Sequence, residues 1–292
     1  MGPEHGTGWL GTLKRGGYFS TVAAPNLTVI SLNVNYWVHM NSAAVAPAGD
    51  AEGRRMMPWL EAELVTAEAG GHAVHILGHQ PPTDKDMQPA WIDGYWPQYT
   101  ALCERFKRSI QGHFYGHIHV DKWTLTRACR EGPAPSGQPN TTRPLICDGA
   151  ASTVLIPGPS LTEGYPATNP SLRLLEFDSA TYELLDMHTY TADLHAANRA
   201  GSHLAWELEY SFKSEFDMPD LSARSFELLA ARLAAPAGDS AWEKYRGDAN
   251  GCLYVGGYSR AGAPFPPKDP TEACDGTCRA SMVAELNATM LV

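Results

Sequence analysis

The fold can be predicted from two segments of the chain: Ala73–Leu77 (AVHIL) with the following GHQPP of residues 78–82, and residues 112–116 with the following His117-Ile118-His119. Each begins as a short strand-like run and ends abruptly at a glycine followed by a histidine. A helical pattern over residues 96–110 lies between them. Strand, helix and strand in this order are typical of a layered α/β sheet with loops at the strand ends, so the predicted fold class is α/β.

The same kind of pattern continues on both sides. Residues 27–34 predict a buried strand, and residues 56–69 predict a helix that ends at Gly70. Further strands are predicted at Val120–Ala128, Pro144–Cys147, Leu172–Phe177 and Tyr182–Tyr190, and further helices at residues 220–235, 239–247 and 278–291. The predicted organisation is an α/β unit over residues 1–190, followed by a helical C-terminal region over residues 191–292.

The composition excludes several classes of protein. Of the 292 residues, 43% are hydrophobic and 18% are charged, so the chain can bury a core and is not disordered as a whole. The formal net charge of −10 argues against nucleic-acid binding, because neutralising phosphates needs a cationic surface. No run of the sequence approaches the roughly 18 apolar residues of a membrane-spanning helix.

Three histidines are the candidates for chemistry. His79 follows an apolar strand and is framed by Gly78 and two prolines, while His117 and His119 follow the next strand. In an extended backbone, residues two apart point the same way, so His117 and His119 can face one cavity. Ligands of α/β sheets gather at the carboxyl ends of strands, and imidazole suits Zn²⁺ and similar ions, so these residues predict a divalent metal site. A hydrogen-bonded core or surface role is favoured for other histidines, namely His72, His75, His113, His195 and His203.

Polar residues near these histidines have open interpretations. Asn33 and Asn35 end a strand near the expected cavity, where they serve either the structure or the shape of a substrate site. Asp121 either accepts a hydrogen bond from a ligand histidine or pairs with Lys122 on the surface.

The aromatic residues after GHQPP also allow two interpretations, helix-packing core or an apolar rim that touches lipid. A core position is favoured for Tyr99. A partly exposed rim is predicted for Trp91 and Trp96.

The cysteines do not form the paired CxxC pattern of a zinc knuckle. Cys274 and Cys278 can close a small disulfide loop, and Cys129 and Cys147 can pair across a hairpin. Cys103 lies on the apolar stripe of a predicted helix, which favours a buried thiol, although its pairing with Cys252 stays open.

Three N-glycosylation triplets begin at Asn26, Asn140 and Asn287. Such triplets also occur by chance, but three of them together with six cysteines favour a secretory-pathway protein. The first residues show no signal peptide, and the chain is therefore expected to begin partway through a longer protein.

GHQPP at residues 78–82 and GHIHVD at residues 116–121 resemble the last two metal motifs of the calcineurin-like metallophosphoesterases. Within that superfamily, the chain is most similar to the acid sphingomyelinase and sphingomyelinase-like phosphodiesterase family. Further segments resemble the family in the same order along the chain: Gly16–Ser20, Val29–Asn35, Trp59–Leu64, Asn169–Arg173, Thr189-Tyr190 and Cys274–Cys278.

The resemblance implies a metallophosphoesterase-type layered α/β sandwich that is incomplete, with its N-terminal half missing and a helical C-terminal region. It also implies two Zn²⁺ ions, with His79 and His117 on one metal and His119 on the other. The family's DxH, GDxxD and GNH motifs have no counterpart in place in this sequence. No catalytic residue is therefore assigned here, and the histidine that protonates the leaving group is expected upstream of Met1.

The family's reaction implies a metal-dependent phosphodiester hydrolase that converts sphingomyelin to ceramide and phosphocholine. The site that the resemblance implies uses two cations to activate water and to offset charge on the phosphate. Because carboxylate ligands are missing, a weakly active or inactive truncated chain is expected. The alternatives are a non-catalytic or binding-only protein, a metal-binding module, or a phosphodiesterase for nucleotides rather than lipid. The family also implies a secreted, extracellular or lysosomal setting and contact with a lipid surface.

Overall fold

The computed structural model describes residues 8–83, 90–92, 94–119, 122–127, 130–131, 145–146, 149–162 and 169–234. The described residues divide into two compact units, the first made of those up to His117 and within Thr126–Leu155, the second of those within Ile118–Leu125 and from Ile156 onward. The boundary at residue 190 stays a prediction. Among the described helices, none combines the length and apolar character needed to cross a membrane.

The helices are α1 (Gly8–Gly16), α2 (Ser42–Val45), α3 (Pro47–Ala69), α4 (Tyr95–Arg105), α5 (Leu194–Ala200), α6 (Phe212–Phe216) and α7 (Ala223–Ala234), with a 3₁₀ turn at Val34–Trp37. The strands are β1 (Phe19–Ala24), β2 (Leu27–Ser31), β3 (Ala73–Leu77), β4 (Ile110–Tyr115), β5 (Thr124–Arg127), β6 (Arg130–Glu131), β7 (Leu145–Ile146), β8 (Ala151–Pro157), β9 (Ser171–Phe177), β10 (Leu184–Thr191) and β11 (Glu207–Ser211).

The larger sheet has six strands in the order β1-β2-β3-β4-β8-β5. Strands β1 and β2 form an antiparallel hairpin, whereas β2, β3 and β4 run parallel to one another. Ser31 is paired with Leu77 and Leu77 with Phe114, so the carboxyl ends of these strands meet at one edge. The predicted α/β class and the position of the histidine loops at the strand ends are confirmed.

Helix α3 covers this sheet because its apolar residues recur at helical spacing. Met56, Leu60 and Leu64 are fully buried, and α3 contacts β2, β3 and α4. Burial of each such side chain stabilises the fold by roughly 1.5–3 kcal/mol. The helix begins at Pro47 rather than at the predicted residue 56, because proline suits the first helical turn even where no apolar stripe marks it.

A charged cluster fastens α1 to α3. The Tyr18 hydroxyl donates to Glu52 Oε1 over 2.7 Å, and Arg15 Nε donates to the same oxygen over 2.9 Å. Arg55 donates to Glu52 Oε2 over 3.2 Å. Arg15, Tyr18, Glu52 and Arg55 are called the Glu52 cluster below. Hydrogen bonds from these groups hold the pKa of Glu52 below its usual value, although burial of the carboxylate acts in the opposite direction.

The second unit contains a three-stranded antiparallel sheet in the order β11-β10-β9. Its aromatic core includes Phe212, whose ring centroid lies 5.2 Å from that of Phe226 and 4.8 Å from that of Phe216. Trp123 packs on Phe226 at 5.0 Å. The predicted strand at Leu172–Phe177 and the helix at residues 220–235 are confirmed to within a few residues.

Several elements differ from the predictions. The strands β1, β8 and β11 lie outside the predicted ones. In β8 the polar residues Ser152 and Thr153 interrupt the apolar pattern although the strand is buried, whereas β1 and β11 are mostly exposed or half-buried and carry no apolar run. The predicted strand Val120–Ala128 is shorter in the described residues, at Thr124–Arg127. The helices predicted at residues 239–247 and 278–291 lie outside the described residues.

Candidate metal centre

The loops that carry His79 and His117 are held side by side by backbone hydrogen bonds. The N–H of Gly78 donates to the carbonyl of Phe114 over 3.0 Å, and the N–H of Gly116 donates to the carbonyl of His79 over 2.8 Å. The pairing of β3 with β4 thus continues beyond both strands. Two segments that are 38 residues apart in sequence therefore leave the sheet together.

The imidazoles of His79 and His117 face each other at this edge. Nε2 of His79 lies 3.3 Å from Nδ1 of His117, and the ring centroids are 5.1 Å apart with the rings nearly perpendicular, at 78°. Both side chains are exposed to solvent. Two nitrogens that each lie 2.0–2.1 Å from a tetrahedral zinc ion are about 3.3 Å from each other. The spacing is that of a hydrogen bond between the two rings, and it equally suits two ligands of one metal ion.

His117 and His119 do not continue an extended strand, so the reason given for their common direction is wrong. Their φ angles are 68° and 59°, in the left-handed region that non-glycine residues rarely adopt. His117 reaches His79 because the chain turns after Tyr115. Strain of this kind is often found at functional sites, where the surrounding structure enforces it.

His119 stays a predicted ligand. Its side chain is half-buried, and its residue belongs to the second unit. Within the described residues, no group of three or more His, Cys, Asp or Glu side chains is placed to hold a metal ion. The pair of His79 and His117 is accordingly the part of the predicted site that the described residues bring together.

The GHQPP turn is anchored from its other side by buried aromatic residues. Trp91 Nε1 donates to the carbonyl of Gln80 over 3.1 Å, and Trp91 and Trp96 are each 4% exposed. The predicted lipid-facing rim of Trp91 and Trp96 is therefore wrong, whereas the core position of Tyr99 is confirmed. Trp91 also packs on Trp37 at 4.9 Å, a contact between residues far apart in sequence that no local pattern encodes.

A neutral polar cluster lies in the core near these loops. The hydroxyl of Tyr99 is 2.6 Å from Nδ1 of His113 and 2.9 Å from the hydroxyl of Tyr115. Burial, and to a smaller extent His75, lowers the pKa of His113 to about 3, while burial raises the pKa of Tyr99 and of Tyr115. These residues, called the tyrosine–histidine cluster below, stay neutral at physiological pH. The core role favoured for His113 is confirmed.

Other candidate residues have structural contacts. Asn33 Nδ2 donates to the carbonyl of Gly16 over 2.9 Å, and the carbonyl of Asn35 accepts a hydrogen bond from Asn41. The side-chain contact accords with the structural interpretation of Asn33, whereas the role of the Asn35 side chain stays a prediction. Cys103 is a free, buried thiol, as predicted, and burial raises its pKa.

The remaining candidates divide by whether the structure describes them. Asn26 is exposed in the turn between β1 and β2, with a left-handed φ of 60°. Outside the described residues lie Asp121, Cys129, Cys147, Cys252, Cys274, Cys278, Asn140 and Asn287.

Comparison with known proteins identifies relatives. Residues 152–248 match the family described as "Acid sphingomyelin phosphodiesterase C-terminal region". The chain is 31% identical over 221 residues to acid sphingomyelinase-like phosphodiesterase 3b of Homo sapiens, a match that covers 72% of this chain and 44% of that protein. It is 28% identical over 290 residues to human sphingomyelin phosphodiesterase, covering 96% of this chain and 38% of the relative.

Two further matches are more distant. A human cyclic GMP-AMP phosphodiesterase is 26% identical over 283 residues, covering 95% of this chain and 55% of the relative. A dimetal phosphatase from Danio rerio is a solved structure with a TM-score of 0.36 and 11% identity, covering 62% of this chain and 60% of that one.

The chain spans about a third to about half of the length of the curated relatives it matches. The resemblance to the family is confirmed by these relatives. The chain belongs to the acid sphingomyelinase and sphingomyelinase-like phosphodiesterase family.

Proposed function

We propose that this chain carries the histidine side of a divalent metal centre in a phosphodiester hydrolase of the sphingomyelin phosphodiesterase type. The observation that supports this most directly is the 3.3 Å separation of Nε2 of His79 and Nδ1 of His117. The matches to sphingomyelin phosphodiesterases support the reaction class. The same proposal includes a metallophosphoesterase-type α/β unit over residues 1–190 and a helical C-terminal region over residues 191–292.

His79 and His117 would share one metal ion, and His119 would bind the other. Asp121 would accept a hydrogen bond from a ligand histidine. Zinc is the proposed metal because neutral imidazole suits it well. When bound, such an ion supplies Lewis-acid activation of a phosphodiester. The chain's own residues orient the two rings and leave them open to solvent, where a substrate can reach them.

The ligands described here are all neutral. The 292 residues contain no GNH and no GDxxD motif that would add an asparagine or carboxylates. Carboxylate ligands cancel the charge of a divalent cation, and imidazoles do not. We therefore expect weak turnover by the chain itself.

Zinc binding by the full 292-residue chain tests the site. We expect titration calorimetry to show zinc uptake that either His79→Ala or His117→Ala weakens by about tenfold or more. His188→Ala is the matched control, because His188 is a surface histidine of the second unit that lies 3.2 Å from Glu176. No uptake by the wild-type chain, or equal uptake by all variants, would sink the proposal.

Hydrolysis of a chromogenic phosphodiester and of sphingomyelin in vesicles, each with added zinc, tests the reaction. We expect weak, zinc-dependent turnover that His117→Ala removes. Turnover no faster than zinc alone, with zinc uptake intact, would favour the binding-only alternative. Fast turnover would contradict the expected weakness of a site built from imidazoles.

Sphingomyelin is the proposed substrate, and nucleotides are the alternative. The alternative is favoured by the similarity to a cyclic GMP-AMP phosphodiesterase. Competition of sphingomyelin and a cyclic dinucleotide for the same zinc-dependent activity decides between them. Preferred release of phosphocholine supports the lipid substrate and contact with a lipid surface.

We also propose a secreted, extracellular or lysosomal protein that is glycosylated at Asn26, Asn140 and Asn287. The exposed turn position of Asn26 supports the first of these sites. Disulfides Cys129–Cys147 and Cys274–Cys278 complete this proposal. Secretion through a eukaryotic cell line, followed by glycosidase treatment and peptide mass mapping, would reveal each glycan and bridge. A cytosolic, unmodified chain would contradict it.

A further inference from the structure

The turn that carries His79 is fitted closely to the ring of Tyr115. A Cβ atom built on Gly78 would lie 2.6 Å from Cε1 and 3.0 Å from Cδ1 of Tyr115, and 3.2 Å from Cγ1 of Val34. Contacts between carbon atoms are normally about 3.5–4.0 Å, so the ring already occupies the place of a side chain. The backbone at residue 78 has no free space towards Tyr115 or Val34.

The ring of Tyr115 is itself fixed. The residue is 6% exposed, and its hydroxyl lies 2.9 Å from that of Tyr99, which in turn lies 2.6 Å from Nδ1 of His113. Tyr99 and His113 are fully buried. The tyrosine–histidine cluster therefore holds the far end of the ring that packs against Gly78, and a rigid neighbour of this kind restricts the backbone it touches.

Two hydrogen bonds transmit that restriction to the histidine pair. Gly78 N–H donates to the carbonyl of Phe114, and the carbonyl of His79 accepts from Gly116 N–H. Residues 78 and 79 are thus tied to the residues on both sides of Tyr115. Nε2 of His79 and Nδ1 of His117 are only 3.3 Å apart. A small shift of the backbone at residue 78 therefore moves the His79 ring and changes this distance.

We propose that Tyr115 is a positioning residue for the metal centre: its ring, seated against Gly78, sets where the His79 imidazole stands relative to His117. This proposal rests on the proposed function only in taking a metal ion to be what the two histidines bind. Tyr115 acts through the backbone of Gly78, and its hydroxyl serves to hold the ring in place.

A pair of complementary substitutions tests the fit. Gly78→Ala introduces the clash, and Tyr115→Leu removes the ring that supports the turn. We expect each single change to weaken zinc binding by about tenfold, as changes around metal ligands commonly do. In the double variant the smaller side chain at position 115 leaves space for the added methyl group, and the remaining 3.2 Å approach to Val34 Cγ1 needs a shift of only a few tenths of an ångström. Zinc affinity should therefore return to within about threefold of wild type. If the two substitutions acted independently, the affinity would instead fall by the product of the two single losses.

Two controls separate positioning from general stability. Gly11→Ala adds a Cβ that meets no atom within 4 Å, and it should leave zinc affinity unchanged. Tyr210→Leu removes a buried tyrosine of the second unit and should lower the melting temperature without changing zinc affinity. A purely structural role for Tyr115 would give the same result as Tyr210→Leu.

A measurement without metal keeps this proposal distinct from the proposed function. Nuclear Overhauser contacts between the ring protons of His79 and His117 should appear in wild type and in the double variant and be lost in both single variants. If wild type binds no zinc but this pattern holds, the metal function fails and the positioning role stands. Ring contacts that persist in Gly78→Ala and Tyr115→Leu, or additive losses in the double variant, would overturn the positioning role.

Discussion

The tyrosine–histidine cluster and the Glu52 cluster are both hydrogen-bonded groups of the first unit, but they differ in charge and exposure. Tyr99 and His113 are wholly enclosed and neutral. Glu52 is ionised, and its partners Arg15 and Arg55 have side chains that are 49% and 63% exposed. The neutral cluster lies against the turn that carries His79, while the charged cluster fastens helix α1 to α3. A site that needs fixed geometry is thus supported by the cluster that solvent cannot rearrange.

Among the substitutions in the two clusters, removal of Tyr99 should cause the largest loss in the free energy of unfolding. Tyr99→Ala leaves a cavity beside Trp91 and Trp96 and removes the hydrogen-bond partner of His113. We expect a loss of about 3–5 kcal/mol in the free energy of unfolding, measured by urea denaturation. Tyr99→Phe, which keeps the ring, should lose only about 1–3 kcal/mol. Equal losses would mean that the hydroxyl rather than packing dominates.

The pH dependence of stability should be governed by the neutral cluster. Because the folded pKa of His113 is about 3 and the unfolded value is 6.5, its contribution is complete above pH 6.5 and falls as the pH drops towards 3. Since the unfolded chain takes up the proton first, the expected slope is about 1.4 kcal/mol per pH unit. Urea titrations of wild type and His113→Gln between pH 4.5 and 6.5 measure this contribution, and a slope unchanged by the substitution would contradict it.

The contribution of the Glu52 cluster to the free energy of unfolding should change at a lower pH than that of His113, and by a smaller amount. Its carboxylate has a lowered folded pKa, so its contribution is present above the unfolded value of 4.5 and is lost as the pH falls through the folded value. At pH 7, Glu52→Gln should cost about 1–3 kcal/mol, because hydrogen bonds to a charged group are lost. Thermal unfolding at low and high salt provides the measurement. A loss above that of Tyr99→Ala would reverse the order of the two clusters.

Arg55→Ala should have the smallest effect. The arginine is mostly exposed, and such ion pairs contribute about 0–1 kcal/mol. The remaining effect should diminish further at high salt, because exposed charges are screened. A loss comparable to that of Glu52→Gln would indicate that Arg55, rather than Tyr18 and Arg15, carries the cluster.

The parts of the fold that could be predicted are those with a local pattern. The apolar run at Ala73–Leu77 coincides with β3, and the apolar stripe of residues 56–69 lies within α3. Helix α4 coincides with the predicted helix at residues 96–110 but ends at Arg105. The strand β8 was missed because its burial comes from neighbours in the sheet and not from an alternating sequence. The lipid-facing rim at Trp91 and Trp96 was wrong, since exposure of an aromatic residue depends on what covers it.

The α/β class, the family and the three histidines that follow two strands could all be predicted from residue patterns, since periodicity and short motifs are local properties of the chain. Residue patterns could not show that His79 and His117 lie 3.3 Å apart, or that the chain has left-handed residues at this turn. Nor could they show that the ring of Tyr115 lies where a side chain at Gly78 would be. Those distances depend on the packing of residues that are far apart in the chain, and close packing is specified by all of them together.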